Sequence, residues 1–157
     1  MNQITALFLA DEVETVDMAM RLARGLDGYG RIYLSGELGA GKTTFCRGIL
    51  RGLGHTGAVK SPTFTLVEPY AVNGVQVFHF DLYRLGDPNE LEYIGVDDYF
   101  SSRCIILVEW PERAADYLPD ADLQVHLEVS DTGRRLSIRA SSDHGEDIVR
   151  QIWVGAE

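Results

Sequence analysis

The sequence has few cysteines and no long apolar run, and these shortages exclude several classes of protein. Its two cysteines, Cys46 and Cys104, are far apart and belong to no Cys-x-x-Cys or Cys/His cluster, which favours buried free thiols over a zinc or redox site. The N-terminal segment meets Asp11 and Glu12 too early for a signal peptide. Because no apolar run approaches the roughly 18 to 20 residues that span a bilayer, we expect a soluble, cytoplasmic protein with no membrane partner.

Basic residues are also scarce. The chain has 14 Lys and Arg against 24 Asp and Glu, a net charge of -10, and the basic residues are scattered along it. Such a chain repels phosphate backbones, so we expect tRNA or other nucleic acid to be reached only through a protein partner. ATP binding is still compatible with this charge, because such sites use backbone N–H groups, a lysine and a metal ion.

Length and pattern predict one α/β domain over residues 1–157, with no repeat or linker. Periodicity, caps and turn residues predict the elements in chain order. They are a strand over 4–9, a helix over 11–26, a strand over 31–35, a helix of about ten residues ending near Gly52 and Gly54, a hairpin of 63–72 and 75–85 around Asn73-Gly74, one or two short helices from Asp87 and Pro88 to residue 100, a doubly covered strand over 104–110, a short helix over 111–119, a hairpin over 123–140 and a last helix over 145–156.

A phosphate-binding motif follows the second predicted strand. Gly36, Gly41, Lys42 and Thr43 satisfy G-x-x-x-x-G-K-[ST] between a strand and a helix, which is the context that the motif requires. Glycines allow backbone N–H groups to approach phosphate, the lysine bridges phosphate oxygens, and the threonine hydroxyl is a Mg²⁺ ligand. The predicted nucleotide-binding residues of this loop are Gly36, Glu37, Leu38, Gly39, Ala40, Gly41, Lys42, Thr43 and Thr44.

Two acids compete for the carboxylate that a Mg²⁺ site needs. Glu109 ends the most apolar run of the chain, and Asp81 follows "VQVFHF". A charge at the edge of a core is costly unless it is paired. We therefore expect each acid to have a function besides ending its strand. The pattern alone leaves both open as candidates for metal binding or water positioning.

Other polar residues carry weaker signals. Thr63 lies where nucleotide hydrolases place a segment that senses the γ-phosphate, although Thr63 and Thr65 also suit a plain strand. Arg84 and Arg113 are candidates for charge compensation, or else surface ion pairs. No ligand spacing or triad links the histidines, and none receives a role: they are His55, His79, His126 and His144.

Taken together, the motifs resemble the TsaE (YjeE) family of small P-loop ATPases. The resemblance runs from about Gly36 to Arg113, half of the chain, with motifs in family order and at family-like separations. It implies a three-layer P-loop NTPase-like sandwich with a mainly parallel central sheet, antiparallel edge strands and hairpins. The matching stretches are "GELGAGKTTFCRGIL", "VKSPTFTLVEPY", "FHFDLYRL", "ELEYIGVDDYF" and "LVEWPER".

The resemblance implies a role in the threonylcarbamoyl modification of adenosine 37 in ANN-decoding tRNAs. Members of the family bind ATP and Mg²⁺, hydrolyse ATP slowly alone, and are stimulated by the partner proteins TsaB and TsaD. On this reading the chain resets that transferase complex between turnovers and does not transfer the carbamoyl group itself. Any contact with tRNA would be indirect.

The resemblance also implies roles for single residues. Lys42 would hold the phosphates, Thr43 and Glu109 would ligate Mg²⁺, Thr63 would be the switch threonine, and Asp81 an essential acid near the γ-phosphate.

Four further residues are expected beside the nucleotide. They are Trp110, the N-terminal pair Glu12 and Thr15, and Arg134 in the late hairpin. The stretch from Ala114 to Glu157 departs most from the family pattern, so the resemblance assigns no adenine contact there.

Two other functions use the same loop. A small-molecule kinase would add an arginine-rich lid, and the segment after "LVEWPER" offers none. The second is a binding module, in which bound nucleotide only changes the affinity for a partner. It differs from the ATPase hypothesis only in whether ATP turnover is coupled to the partner's activity.

Overall fold

A seven-stranded sheet organises the chain in the computed structural model, which describes residues 4–154. The strands are β1 Ile4–Leu9, β2 Gly30–Ser35, β3 Val67–Val72, β4 Val75–Asp81, β5 Ile105–Glu109, β6 Leu123–Ser130 and β7 Gly133–Ala140. The helices are α1 Glu12–Arg24, α2 Lys42–Leu53, α3 Glu90–Tyr93, α4 Val96–Ser101 and α5 Asp143–Val154, and a 3-10 helix covers Pro111–Tyr117.

The sheet is parallel in its centre and antiparallel at its edges. Its order is β1-β7-β6-β2-β5-β4-β3. Strand β2 pairs in parallel with β5 and β6, and β4 in parallel with β5, whereas β1, β7 and β3 join through antiparallel pairs. Asn73 and Gly74 have φ of 50° and 81°, as a type I′ hairpin requires. The predicted mainly parallel sheet with antiparallel edges is therefore confirmed.

Helices cover both faces of the sheet and create three layers. Apolar residues of α1, α2 and α5 form a core with one face, and α3, α4 and the 3-10 helix cover the other. Strand β5 is buried at every position, because Leu107 faces the first core and Val108 the second. The prediction of a strand covered on both faces is confirmed. No helix within residues 4–154 is long and apolar enough to cross a membrane.

The hairpin strands are shorter than predicted at both outer ends. Residues 63–66 form a turn, in which the Leu66 N–H donates to the carbonyl of Pro62 at 2.9 Å and Leu66 has φ of 68°. The turn therefore overrides the β propensity of these residues. Strand β4 ends at Asp81 because the carboxylate of Asp81 accepts the Tyr83 N–H at 3.0 Å, and this local bond replaces the next ladder bond.

Several helix boundaries also differ from prediction. Helix α3 begins at Glu90 and not at Asp87, since the Asp87 side chain accepts the Asn89 N–H at 3.0 Å and forms a turn before the helix. The segment after β5 is a 3-10 helix with a kink at Ala114. The last helix begins two residues earlier than predicted, at Asp143. Its predicted end at residue 156 lies outside the described residues.

Candidate nucleotide-binding site

The loop between β2 and α2 has a backbone that only glycine adopts easily at three positions. Gly36, Gly39 and Gly41 have φ of 141°, 83° and 108°. A Cβ on Gly36 would also lie 2.3 Å from the carbonyl oxygen of Leu127. Apart from their chain neighbours and the adjoining helix backbone, no atom lies within 4 Å of the Cβ position at Gly39 or Gly41, so the loop borders open space in front of α2. This open loop at a helix N-terminus fits an anion such as a phosphate group.

Lys42 is a buried lysine at the start of α2. Its ammonium group donates to the carbonyls of Gly36 at 2.6 Å and Glu37 at 2.9 Å. The indole ring of Trp110 also covers it, with its centroid 4.2 Å from Nζ. Burial lowers the pKa of Lys42, and the nearby carboxylate of Glu109 partly offsets this effect. The loop therefore holds one compact positive charge over its own carbonyl groups.

Thr43 and Glu109 form the direct link between the loop and the central sheet. The Thr43 hydroxyl donates to the Glu109 carboxylate, 2.9 Å from Oε1 and 3.1 Å from Oε2. Glu109 ends β5 and is only 2% exposed. A hydroxyl and a carboxylate side by side are hard oxygen donors of the kind that Mg²⁺ takes together with substrate phosphates. These residues fit the predicted metal, and they come together from distant parts of the sequence.

Asp81 supplies a second buried carboxylate. It stands in register with Glu109 on the neighbouring parallel strand, and it is 5% exposed. Burial raises the pKa of Asp81, while the hydrogen bond from the Tyr83 N–H opposes the shift. The Thr63 hydroxyl donates to Asp81 at 3.4 Å and lies 2.7 Å from the Ser61 hydroxyl. Residues 61–66, which contain this turn, thus contact the site through Asp81.

These groups line one cleft of about 450 Å³. Ten of the predicted residues line it: Leu38, Gly39, Gly41, Lys42, Thr43, Thr44, Thr63, Asp81, Glu109 and Trp110. The other loop residues act through their main chain, since the carbonyls of Gly36 and Glu37 accept from Lys42 and that of Ala40 accepts from Arg134. Ser61 and Tyr83 line the cleft as well and had no predicted role there, and so does Arg84, one of the two candidates for charge compensation.

Three of the four further residues expected beside the nucleotide lie in a second cleft on the other side of the loop. This cleft, of about 320 Å³, is lined by Glu12, Thr15 and Arg134 and shares Gly39, Gly41 and Thr44 with the first. The Arg134 guanidinium donates to the carbonyls of Ala40 at 3.0 Å and Gly39 at 3.3 Å. It therefore supports the backbone of the loop.

Glu12 and Thr15 are engaged with other groups of the protein. The Glu12 carboxylate pairs with Arg47 at 3.2 Å. Thr15 is buried, and its hydroxyl donates to the Asp11 carbonyl at 3.3 Å. The two residues border the loop without contacting the first cleft.

The two arginines weighed as charge-compensating groups contact aromatic rings. The Arg84 guanidinium lies 4.6 Å from the centroid of the exposed Phe64 ring. The Arg113 guanidinium lies 5.5 Å from the Tyr83 ring and 5.8 Å from the Trp110 ring. Arg84 borders the first cleft, so it is the better placed of the two to meet a phosphate.

The sequence reasoning missed His79. It is wholly buried, and its Nε2 lies 2.6 Å from Oε2 of Glu109. The signal that could have found it is strand alternation: Val77, His79 and Asp81 share one face of β4, and Val77 packs on the α2 side of the sheet. A histidine two residues before a candidate catalytic acid, on the same face, belongs to that acid's surroundings.

The family described as "Threonylcarbamoyl adenosine biosynthesis protein TsaE" matches residues 9–136, which include every predicted site residue. The chain belongs to the TsaE family.

Relatives cover most of the chain. A protein of Haemophilus influenzae named "tRNA threonylcarbamoyladenosine biosynthesis protein TsaE" is 50% identical over 118 residues, 75% of each chain. The Bacillus subtilis protein of the same name is 38% identical over 120 residues, 76% of this chain and 75% of its own. The crystal structure of YdiB from Bacillus subtilis superposes with a TM-score of 0.83 at 28% identity, covering 100% of this chain and 99% of that one.

Family membership confirms the resemblance read from the motifs and the fold class that it implied. The TsaE family takes its name from the biosynthesis of threonylcarbamoyladenosine in tRNA.

Proposed function

We propose that this chain is an ATPase that binds and hydrolyses Mg-ATP in the threonylcarbamoyl modification of adenosine 37 in ANN-decoding tRNAs. The observation that carries the proposal is the Thr43–Glu109 hydrogen-bonded pair beside a glycine loop that holds Lys42. A phosphate cradle, a buried cation and two hard oxygen donors meet in one cleft. Their combination favours a metal-bound nucleotide over a nucleotide or an anion alone.

In this proposal the loop amides and Lys42 hold the phosphates of ATP or ADP, and Thr43 and Glu109 hold Mg²⁺. When bound, the metal neutralises charge on the phosphate oxygens. Asp81 and Thr63 face the cleft beside Glu109 and orient the water that attacks the γ-phosphate in line. Because burial raises the pKa of Asp81, its carboxylate is a better proton acceptor than an exposed aspartate. Positioning and charge compensation supply nearly all of the catalysis.

The chain works with partners in this proposal. Its charge of -10 disfavours direct contact with tRNA, so the TsaB and TsaD proteins are the partners that meet the nucleic acid. Hydrolysis is slow in the isolated chain, is stimulated by the pair, and resets the transferase complex between turnovers. The setting is the cytoplasm, where these proteins and ATP meet.

Phosphate release from ATP tests the proposal. It is measured for the chain alone and with TsaB, TsaD and substrate tRNA, for the wild type and for K42A, with K60A as a control at an exposed lysine. We expect the partners to raise the rate for wild type and K60A but not for K42A. ADP formation that needs a small-molecule acceptor, with the phosphoryl group transferred to that acceptor and no free phosphate released, would support a kinase. Release that the partners leave unchanged, with nucleotide still altering partner affinity, would support a switched binding module.

A further inference from the structure

His79 and Glu109 form a buried pair beneath the proposed metal site. The side chains are 0% and 3% exposed, and His79 Nε2 lies 2.6 Å from Glu109 Oε2. The same carboxylate accepts the Thr43 hydroxyl from the cleft side. Glu109 therefore lies between one neighbour that faces the cleft and one that belongs to the core.

The two nitrogens of His79 have different surroundings. Nε2 lies at hydrogen-bond distance from a carboxylate, whereas Nδ1 is buried and has no hydrogen-bond partner within residues 4–154. A proton on Nδ1 would leave a buried N–H unsatisfied, which is costly, and more so if the ring were charged. The arrangement therefore favours a neutral ring with its proton on Nε2, which donates to Glu109. A neutral donor orients the carboxylate without cancelling the charge that a metal ion needs.

A metal ion bound by His79 itself fits the distances less well than a hydrogen bond does. Cys46, His79 and Glu109 offer ligand atoms within 4.8 Å of one another, and all three residues are buried. Two ligands of one zinc ion, with bonds of about 2.0 to 2.1 Å, stand about 3 Å or more apart. The 2.6 Å between His79 and Glu109 is shorter than that and is typical of a charge-assisted hydrogen bond.

We propose that His79 is a positioning residue that orients the Glu109 carboxylate and thereby sets the affinity of the site for Mg²⁺. The inference rests on the proposed Mg-nucleotide site. Hydrogen bonds to a carboxylate that holds a metal fix its orientation, and their loss typically costs about 10- to 100-fold in metal affinity. A histidine that only filled the core would instead affect the fold and the nucleotide site as a whole.

Three substitutions separate the hydrogen bond from the volume of the ring. In H79Q the amide nitrogen can reach the position of Nε2, and in H79N it reaches only that of Nδ1. H79M has a similar length and no donor. Mn²⁺, observed by electron paramagnetic resonance, serves as the metal probe and is titrated into each protein saturated with ADP. ADP binding in EDTA is measured by calorimetry as a second readout that needs no metal.

We expect H79M and H79N to weaken Mn²⁺ binding by about 10- to 100-fold, and H79Q to stay within a few-fold of wild type. Affinity for ADP in EDTA should change by less than about twofold in all three. Unchanged Mn²⁺ affinity in H79M would overturn the inference, and so would equal losses in both readouts. If wild type itself binds no Mn²⁺ with ADP, the proposed function fails and this inference fails with it.

A measurement on wild type covers the case in which the variants do not fold. In protein labelled with ¹⁵N-histidine, nitrogen chemical shifts report which ring nitrogen carries the proton, and His79 is recognised as the histidine protected from solvent exchange. We expect a neutral ring with the proton on Nε2. A proton on Nδ1, or a bare Nε2, would overturn the assignment of His79 as a donor to Glu109.

Discussion

Asp81 and Glu109 are register partners at the ends of adjacent parallel strands, and both carboxylates are buried. Such a pair is unfavourable by itself, because two like charges share a poorly solvated site. Lys42 lies close enough for both acids to act on its pKa. The arrangement is costly in the isolated protein, and a bound cation would offset part of that cost.

Removing the Lys42 ammonium should abolish tight ATP binding. We expect K42A to lower the affinity by about 10- to 100-fold or more, because a buried charge-assisted contact to phosphate is lost. Calorimetric titration checks this, with K60A as the control because Lys60 is exposed. Equal affinities for K42A and wild type would rule out the assigned loop.

Neutralising Glu109 should separate metal-dependent turnover from nucleotide binding. E109A and the isosteric E109Q are expected to lower Mg²⁺-dependent phosphate release by about 10²-fold or more, while ADP binding in EDTA stays nearly unchanged. E92Q is the control, since Glu92 is exposed on α3 and does not line the cleft. Equal losses of turnover and of metal-free binding would contradict the metal role.

Asp81 should lower stability while supporting catalysis. Its raised pKa means that the folded protein disfavours the ionised form, so a stability penalty is present above the folded pKa and vanishes below the unfolded one. D81N should therefore be more stable than wild type at neutral pH and about equally stable in acid. Thermal unfolding across pH measures the difference.

The same D81N protein should lose about 10²-fold or more of its phosphate release. D97N is a suitable control because Asp97 is exposed. A stability difference that grew toward acid would reverse the predicted sign. Full activity in D81N would exclude a catalytic role for this acid.

The first loop glycine should tolerate a methyl group far less than the second. A Cβ on Gly36 would meet the carbonyl of Leu127 at 2.3 Å, whereas one on Gly39 has open space around it. Both positions have positive φ, so either substitution strains the backbone, but only the one at Gly36 also creates a clash. We expect G36A to lose about 1–3 kcal/mol more stability than G39A. Chemical denaturation compares them, and equal losses would contradict the close packing of β2 against β6.

Local patterns were sufficient to predict much of the fold. The cap at Asp11, the Asn73-Gly74 turn and the apolar run ending at Glu109 each act through residues close in sequence, and the structure contains all three features. The turn over 63–66 was mispredicted because long-range bonds determine it. Leu66 is fixed partly by the Asp81 N–H, which donates to its carbonyl from the end of another strand.

The phosphate-binding loop of the site was predictable from the sequence, and the residues that support the site were less so. The loop residues follow from a spacing that the chemistry requires. Folding alone brings His79 of β4 and Arg134 of β7 to the site. No short-range spacing in the sequence links either residue to the loop. Side chains that support a site from distant strands carry little local signal, apart from the alternation that places His79 on the face of Asp81.

The most direct test of the account is the number of modified tRNA molecules formed by each TsaB–TsaD complex in the presence of this chain and ATP, with the threonylcarbamoyl donor supplied. We predict many turnovers with wild type and with K60A, and no more than about one per complex with K42A, because in the proposed function hydrolysis resets the transferase. Sustained turnover with K42A would contradict the claim that ATP hydrolysis by this chain drives the cycle.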